Sequence, residues 1–396
     1  MSGSPALGRP QGASRPAPTA GLHVGLVCPY SFDTPGGVQS HVRGLAGYLR
    51  EEGHFPHILA PGEATPGDIA GEFTSAGASV PVRYNGSVAR VNFGPLSAAR
   101  VARWLRGGAF DLVHLHEPIT PSISVLALWA ADVPVVATFH TATPRSRSMQ
   151  MAGGAMRATV EKIDAGIAVS ESARQVVVQH LGRDALVIPN GFCHHFFASG
   201  VAASNGRWRA GPRPRLTFVG RTDEPRKGLD VLLSALPEIR GRHPELEVVV
   251  VGVGARRLPP GCRRLGVVTD AEKAQLLASS DVFVAPHLAR ESFGIVLLEA
   301  MASGAAVVAS DLAPFTDLLA GDRAPEALGT TFPVGDASAL AAAVLRVLDF
   351  RDETQIAAAR RISRRYDWSR VGAAVTEVYR ATTEQAGPAT AAALGR

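Results

Sequence analysis

Residues 286–311 read PHLARESFGIVLLEAMASGAAVVASD, an apolar frame holding a few residues that are costly to bury. Glu291 stands before Ser292-Phe293-Gly294, and Glu299 follows eight positions later. On a helix starting near Phe293 the second acid lies about two turns in, while the first sits at the helix mouth. Upstream, residues 281–285 (DVFVA) read as a short buried strand, and downstream residues 305–309 (AAVVA) read as another. The unit is strand, turn, helix, strand, a βαβ crossover. A turn at the carboxyl end of a parallel strand is where open α/β sheets take ligands, and unpaired amides at a helix start attract phosphate. A single Glu in such a place is ordinarily a first-turn residue favoured by the dipole, or a solvated helix residue. Glu299, however, is enclosed by Ile295, Val296, Leu297, Leu298, Ala300 and Met301, and an apolar-walled helix seldom holds a charge without a partner. The stretch predicts a phosphate site flanked by carboxylates.

Around it, 396 residues at 46% hydrophobic content are enough for two α/β cores. No apolar run approaches the roughly 18–20 residues that span a bilayer, and the first twenty residues lack a hydrophobic signal core. Cys28, Cys193 and Cys262 are odd in number and far apart, which predicts reduced thiols in a cytoplasm, with Cys28 on a core strand. The net charge of +5 suits an acidic partner, whether nucleic acid, anionic lipid or a phosphorylated donor.

Residues 1–20 are rich in Pro, Gly, Ser and Ala without periodicity, so a disordered tail is expected. His23–Cys28 is a buried strand, followed by a turn ending in Gly36-Gly37 and a helix carrying Val38, Val42, Leu45 and Leu49. The turn has neither G-x-G-x-x-G nor G-x-x-x-x-G-K-[ST], which disfavours a dinucleotide or P-loop site. Pro-Gly-Gly alone is ordinarily just a turn. Tyr84-Asn85-Gly86 marks a turn between short strands. In ARVARWLRGG, Arg100, Arg103 and Arg106 share one helix face beside Trp104. Such a helix can rest on anionic lipid, and a solvated basic face over a packed Trp explains the pattern equally well.

Leu112–His116 is a further strand that puts His114 and His116 on one face, with Glu117 at its end. Metal binding reads poorly there, because position 120, where H-E-x-x-H needs a second His, is Thr, and C-x-x-C is absent throughout. His140-Thr141 ends the strand Val135–Phe139. A His so placed serves packing as readily as catalysis, and its place at the expected cleft favours function. A helix through Glu161, two more strands and a helix capped by Ser170 complete the first sheet, and residues 198–214 read as a linker. The second domain opens with Leu216–Val219 and the loop GRTDEPRKG, which sets Arg221, Arg226 and Lys227 near a helix start. Three cations opposing the dipole imply an anion between them, although pairing with Asp223 and Glu224 would also hold them.

The E-x7-E spacing with S-F-G resembles the sugar-nucleotide motif of the retaining family 4 glycosyltransferases, whose fold is two Rossmann-like domains facing each other across a cleft (GT-B). CPYSFDTPGGVQSHV, YNGSVARVNFGP and GRTDEPRKG sharpen the likeness to the bacterial phosphatidyl-myo-inositol mannosyltransferases over roughly residues 22–380. The resemblance implies an acceptor domain over 21–197, a linker over 198–214 and a donor domain over 215–366. It also implies a helix over 367–383 packing back on the first domain, before a disordered tail over 384–396. It implies GDP-mannose as donor, phosphatidylinositol as acceptor, no metal or other cofactor, no nucleic-acid partner, and a peripheral place on the cytoplasmic face of the plasma membrane. Gly37 would approach the donor diphosphate, Arg221 and Lys227 neutralise it, Glu291 hold the sugar hydroxyls, and Glu299 the ribose. Ser292, Phe293, Gly294 and Ile295 would lend backbone amides. Tyr30, Asp33, Gln39, Asn85, Ser87, Arg90, Thr141 and Arg226 match acceptor-pocket positions, and His140 matches the active-site histidine. Arg100, Arg103, Trp104 and Arg106 would face the membrane. Phe192–His195 and Ala255–Pro260 depart from the usual pattern. A transferase using another donor or a soluble acceptor, or a non-catalytic lipid-binding module, are the alternatives.

Overall fold

The structure, a computed structural model, describes residues 21–34, 36–63, 72–84, 87–141, 159–203, 213–320 and 327–393. The first sheet is parallel and contains β1 (His23–Val27), β2 (Phe55–Ala60), β3 (Phe73–Ser75), β6 (Leu112–His116), β7 (Val135–Phe139), β8 (Ala165–Ala168) and β9 (Leu186–Val187). Its order is β3-β2-β1-β6-β7-β8-β9, and an antiparallel hairpin of β4 (Val80–Tyr84) and β5 (Ser87–Val91) stands apart from it. The second sheet contains β10 (Arg215–Val219), β11 (Glu247–Val251), β12 (Cys262–Gly266), β13 (Val282–Ala285), β14 (Ala306–Ser310) and β15 (Thr330–Phe332), in the order β12-β11-β10-β13-β14-β15. Both are doubly wound, with order reversing beside the first strand, between β1 and β6 and between β10 and β13. Central strands such as VVATF and VFVA are buried along their whole length, as parallel strands covered on both faces must be. Two edge strands escape the sequence reading for the same reason. Both β3 and the half-exposed CRRLG of β12 bury too little to show an apolar run.

Helices cover the sheets: α1 (Gly37–Glu51), α2 (Pro95–Gly107), α3 (Ile123–Ala130), α4 (Glu171–Leu181) and α5 (His194–Ala203), then α6 (Leu229–Arg242), α7 (Asp270–Ala278) and α8 (Ile295–Ser303). They are followed by α9 (Ala313–Ala320), α10 (Ala337–Asp349), α11 (Glu353–Ser363) and α12 (Trp368–Ala393). Ser122 and Ser170 cap α3 and α4 through their side chains, and Thr269 with Glu272 forms a capping box on α7. Trp104 is not interfacial. It is 7% exposed and packs against Phe110 with tilted rings whose centroids are 4.4 Å apart, while Arg100, Arg103 and Arg106 are exposed on the other face. The solvated-face reading of α2 therefore accounts for its Trp.

The chain crosses between lobes at Phe192 and again at Asp367, and the two crossings touch. Phe192 donates its amide to the Tyr366 carbonyl (3.0 Å) and accepts from Trp368 N (3.2 Å), and His194 N donates to Asp367 Oδ2 at 2.9 Å. The unusual Phe192–His195 sequence thus keeps an acidic partner, supplied by the other crossing. Past it, α5 packs on the second lobe: Gly200 lies tight against Ala274, and Phe197 lies under Lys273 Nζ at 5.2 Å. Residues 194–203 therefore belong to the second lobe, not to the first domain and a linker, because small residues that suggest a linker also let two helices approach closely. At the other end α12 runs to Ala393, beyond the expected end near residue 383, and buries Val371, Val375, Val378 and Tyr379 with β1 and α1 residues of the first lobe. Residues 1–20, Asn85, the helix expected before Glu161 up to residue 158, residues 204–212 and residues 394–396 lie outside the described residues.

Candidate active site

The loops leaving β10 and β13 are neighbours because those strands pair at the reversal of the second sheet. Leu288 N donates to the Arg226 carbonyl at 2.8 Å. Gly228, at φ +69, brings its Cα so near the Pro286 carbonyl that a Cβ would stand 1.6 Å from that oxygen. A side chain there would prise the loops apart. Held together, they put Lys227 Nζ 3.2 Å and His287 Nδ1 2.9 Å from Glu291 Oε2. Burial alone would raise the Glu291 pKa, but Lys227, the His287 hydrogen bond and Arg226 outweigh it and hold the carboxyl well below its usual range. Glu291 stays ionised.

Gly294 caps α8 at φ +102, packed where a Cβ would meet the Phe315 ring at 2.8 Å, so the helix begins at Ile295 rather than Phe293. No side chain caps it, which leaves its first amides to an anion. Phe293 is buried edge-on against Tyr366, and Ser292 N donates to Glu291 Oε1 at 3.3 Å. Glu299 has the partner its apolar surroundings demand. Lys273 Nζ on α7 is 2.8 Å from its Oε1 and 3.0 Å from Asp270. Burial raises the Glu299 pKa and Lys273 opposes the rise, while the two acids keep Lys273 protonated against its own burial. Arg221 and Arg226 pair with Asp223 (3.5 Å) and Glu224. Of the three loop cations, Lys227 is the one in contact with Glu291.

In the first lobe the loop after β1 is tied to the hairpin: Tyr30 bridges Val91, and Ser31 N donates to the Arg90 carbonyl at 2.9 Å. Asp33 accepts from Glu63 N (2.9 Å) and Ser31 Oγ (2.8 Å), and these bonds, with Arg90 beyond them, hold its pKa down. Gln39 is buried, its amide nitrogen donating to the carbonyls of Ser31 (3.1 Å) and Thr34 (3.2 Å), so it braces the loop from behind. Gly37 begins α1 in open space, with nothing within 4 Å of a Cβ built there. Ser87 starts β5, and Arg90 on the same strand is exposed.

Glu117 and the histidines around it were not legible as a group. At the end of β6, Glu117 adopts φ +50 while 3% exposed, a strained backbone for a buried acid. Its Oε1 accepts from His140 N (2.7 Å) and Thr141 Oγ1 (2.9 Å). Burial pushes its pKa up to about 7 against those bonds. His140 Nε2 lies 3.0 Å from His116 Nδ1, and His114 bonds Tyr379 Oη and Thr138 Oγ1 at 2.6 Å each. His41 packs its ring against His116, His140 and Trp368. Burial keeps all four neutral, lowering His41 and His114 to about 3. Ring nitrogens of His41, His116 and His140 come within 4.8 Å of one another, a donor set that suits a divalent transition metal only if the His116–His140 hydrogen bond is given up. Among the described residues no helix is long and apolar enough to cross a membrane.

Two doubly wound lobes, with cations and acids at the switch point of the second, define a nucleotide-sugar glycosyltransferase of the GT-B fold. Family models agree: Glycosyltransferase Family 4 matches residues 35–196 and Glycosyl transferases group 1 matches residues 213–349. The chain belongs to glycosyltransferase family 4. It is 48% identical over 364 residues to the phosphatidyl-myo-inositol mannosyltransferase of Propionibacterium freudenreichii, covering 90% of this chain and 94% of that one. To the Mycobacterium tuberculosis protein of the same name it is 46% identical over 369 residues, 90% and 96% of the two chains. A solved glycosyltransferase from Rickettsia africae shares the fold at a TM-score of 0.70 and 18% identity, covering 91% of this chain and 98% of that one.

Proposed function

We propose that the protein transfers mannose, with retention of configuration, from GDP-mannose to the inositol ring of phosphatidyl-myo-inositol at the inner face of the plasma membrane. The observation that carries the donor half is the ionised Glu291 held beside Lys227 at the switch point of the second sheet. The acceptor half is supported by likeness to the relatives so named over nine-tenths of the chain. Breaking the sugar–phosphate bond makes the hexose oxocarbenium-like and the diphosphate more negative. Lys227, joined by an Arg221 released from Asp223, stabilises that charge more in the transition state than before it. Because these cations supply the charge, the reading assigns no metal ion. Glu291 grips the hexose hydroxyls without attacking, and Glu299, steadied by Lys273, takes the ribose. The departing phosphate accepts the acceptor's proton on the same face, so no side chain is cast as general base. Tyr30, Asp33, Arg90 and Thr141 are assigned to the headgroup side, with Gln39 bracing the loop and the neutral His140 donating or accepting a hydrogen bond at the reacting centre. The exposed arginines of α2 meet the anionic lipid.

Purified protein incubated with radiolabelled GDP-mannose or UDP-sugars, and with phosphatidylinositol vesicles or soluble inositols, tests the reading. Label should pass from GDP-mannose to the lipid. Transfer from a UDP-sugar, or to free inositol in preference, would redirect donor or acceptor. Vesicle binding without turnover of any donor would make it a non-catalytic lipid-binding module.

A further inference from the structure

His287 follows β13 by two residues and is 1% exposed. Its carbonyl accepts from Ser310 Oγ at 2.7 Å and its ring packs on Phe315, centroids 5.1 Å apart, so both backbone and ring have a fixed neighbour. Its Nδ1 lies 2.9 Å from Glu291 Oε2. An ionised carboxylate only accepts, so Nδ1 carries the proton and Nε2 a lone pair. That lone pair is buried with no partner among the described residues. An unpaired buried acceptor is destabilising, and a Leu or Phe would fill the space without one. The residue is therefore explained by what its Nδ1–H does, and that hydrogen points at Glu291.

Lys227 and His287 both donate to Oε2, whereas among the described residues Oε1 receives the adjacent Ser292 amide alone, at 3.3 Å. We propose that His287 is a positioning residue of the transfer reaction, fixing the rotation of the Glu291 carboxylate so that Oε2 is saturated and Oε1 is presented to a hydroxyl of the donor hexose. The inference rests on the donor-site reading above and adds a residue to it. Burial, helped by Lys227 and Arg226 beside the ring, lowers the imidazole's pKa against the opposing pull of Glu291, which favours the neutral ring with its proton on Nδ1.

Asparagine carries its amide nitrogen near the place of Nδ1 and glutamine near that of Nε2, which separates the proposed role from space filling. In the full-length chain, His287→Gln should lower kcat by about 10- to 100-fold, His287→Asn should recover most of that loss, and the Kd for GDP alone should be unchanged in both. GDP has no hexose for Glu291 to hold. Equal losses in the two variants, wild-type kcat in His287→Gln, or a fall in GDP affinity parallel to kcat would each overturn the proposal. If His287→Gln fails to fold, His287→Leu gives the same comparison. A wild-type chain that transfers no hexose from any nucleotide sugar would sink the donor-site reading itself, a result distinct from any of these.

Discussion

Lys227 Nζ lies 3.2 Å from Glu291 Oε2, and both side chains are 18% exposed. A pair this far from water is worth more intact than halved. Glu291→Gln should therefore reduce turnover by about 100-fold or more and also lower stability by about 1–2 kcal/mol. Adding Lys227→Met should restore much of the stability and none of the activity. Thermal unfolding beside steady-state kinetics on the two variants checks this; near-normal turnover in Glu291→Gln would refute the gripping role.

Glu117 ionises near pH 7 in the folded protein, against an ordinary value of 4.5. Below pH 4.5 folded and unfolded forms are both protonated and the residue is neutral in its effect. Between pH 4.5 and 7 the unfolded chain gives up its proton while the folded one keeps it, so the fold loses stability as pH rises, and above 7 the penalty is constant. Glu117→Gln keeps the acceptor for His140 N and Thr141 and removes the charge. Its advantage over wild type should grow between pH 4.5 and 7 to roughly 2–4 kcal/mol. A pH-independent difference in melting temperature would contradict this account.

The buried histidines act in the opposite sense. With His41 and His114 lowered to about 3, the unfolded chain binds more protons between pH 3 and 6.5, so stability rises with pH across that window. Each contributes up to about 1.4 kcal/mol per pH unit. His41→Phe preserves the ring contacts and should flatten the dependence by one group's share, read from denaturant unfolding between pH 4 and 7. Unchanged slopes would mean that His41 titrates normally.

On α2 the two faces should separate cleanly. Charge reversal at Arg103 and Arg106 should weaken binding to anionic vesicles in a salt-dependent way while leaving the melting temperature nearly alone, whereas reversal at Arg100 also removes its 3.0 Å bond to the Ala76 carbonyl and lowers stability as well. Trp104→Ala should do the reverse, costing about 3–5 kcal/mol because the indole is in the core. Vesicle sedimentation unaffected by the charge reversals would leave α2 as a solvated helix.

The spacing of Glu291 and Glu299 and the apolar runs of the central strands were legible because both depend on neighbours in sequence. Lys273, His287 and Glu117 were not. Lys273 meets Glu299 only when α7 packs beside α8, and His287 reads as an ordinary polar residue until its nitrogen is seen 2.9 Å from the acid. Glu117 was noticed only at the end of its strand and as the second residue of a failed metal motif, since nothing local to it predicts φ +50 or the His140 amide. Trp104 was ambiguous because one helix face cannot say what lies over the other.

The last helix supplies Val371, Val375, Val378 and Tyr379 to the core that contains Val24, Leu26 and Leu45, and its Tyr379 hydroxyl closes on His114. During synthesis the opening half of the polypeptide emerges long before the piece that seals it. Until residues 371–379 clear the ribosome, the apolar side chains of α1 and β1 that they cover lack that partner, and a message truncated anywhere upstream of codon 371 yields a product that cannot complete its first lobe.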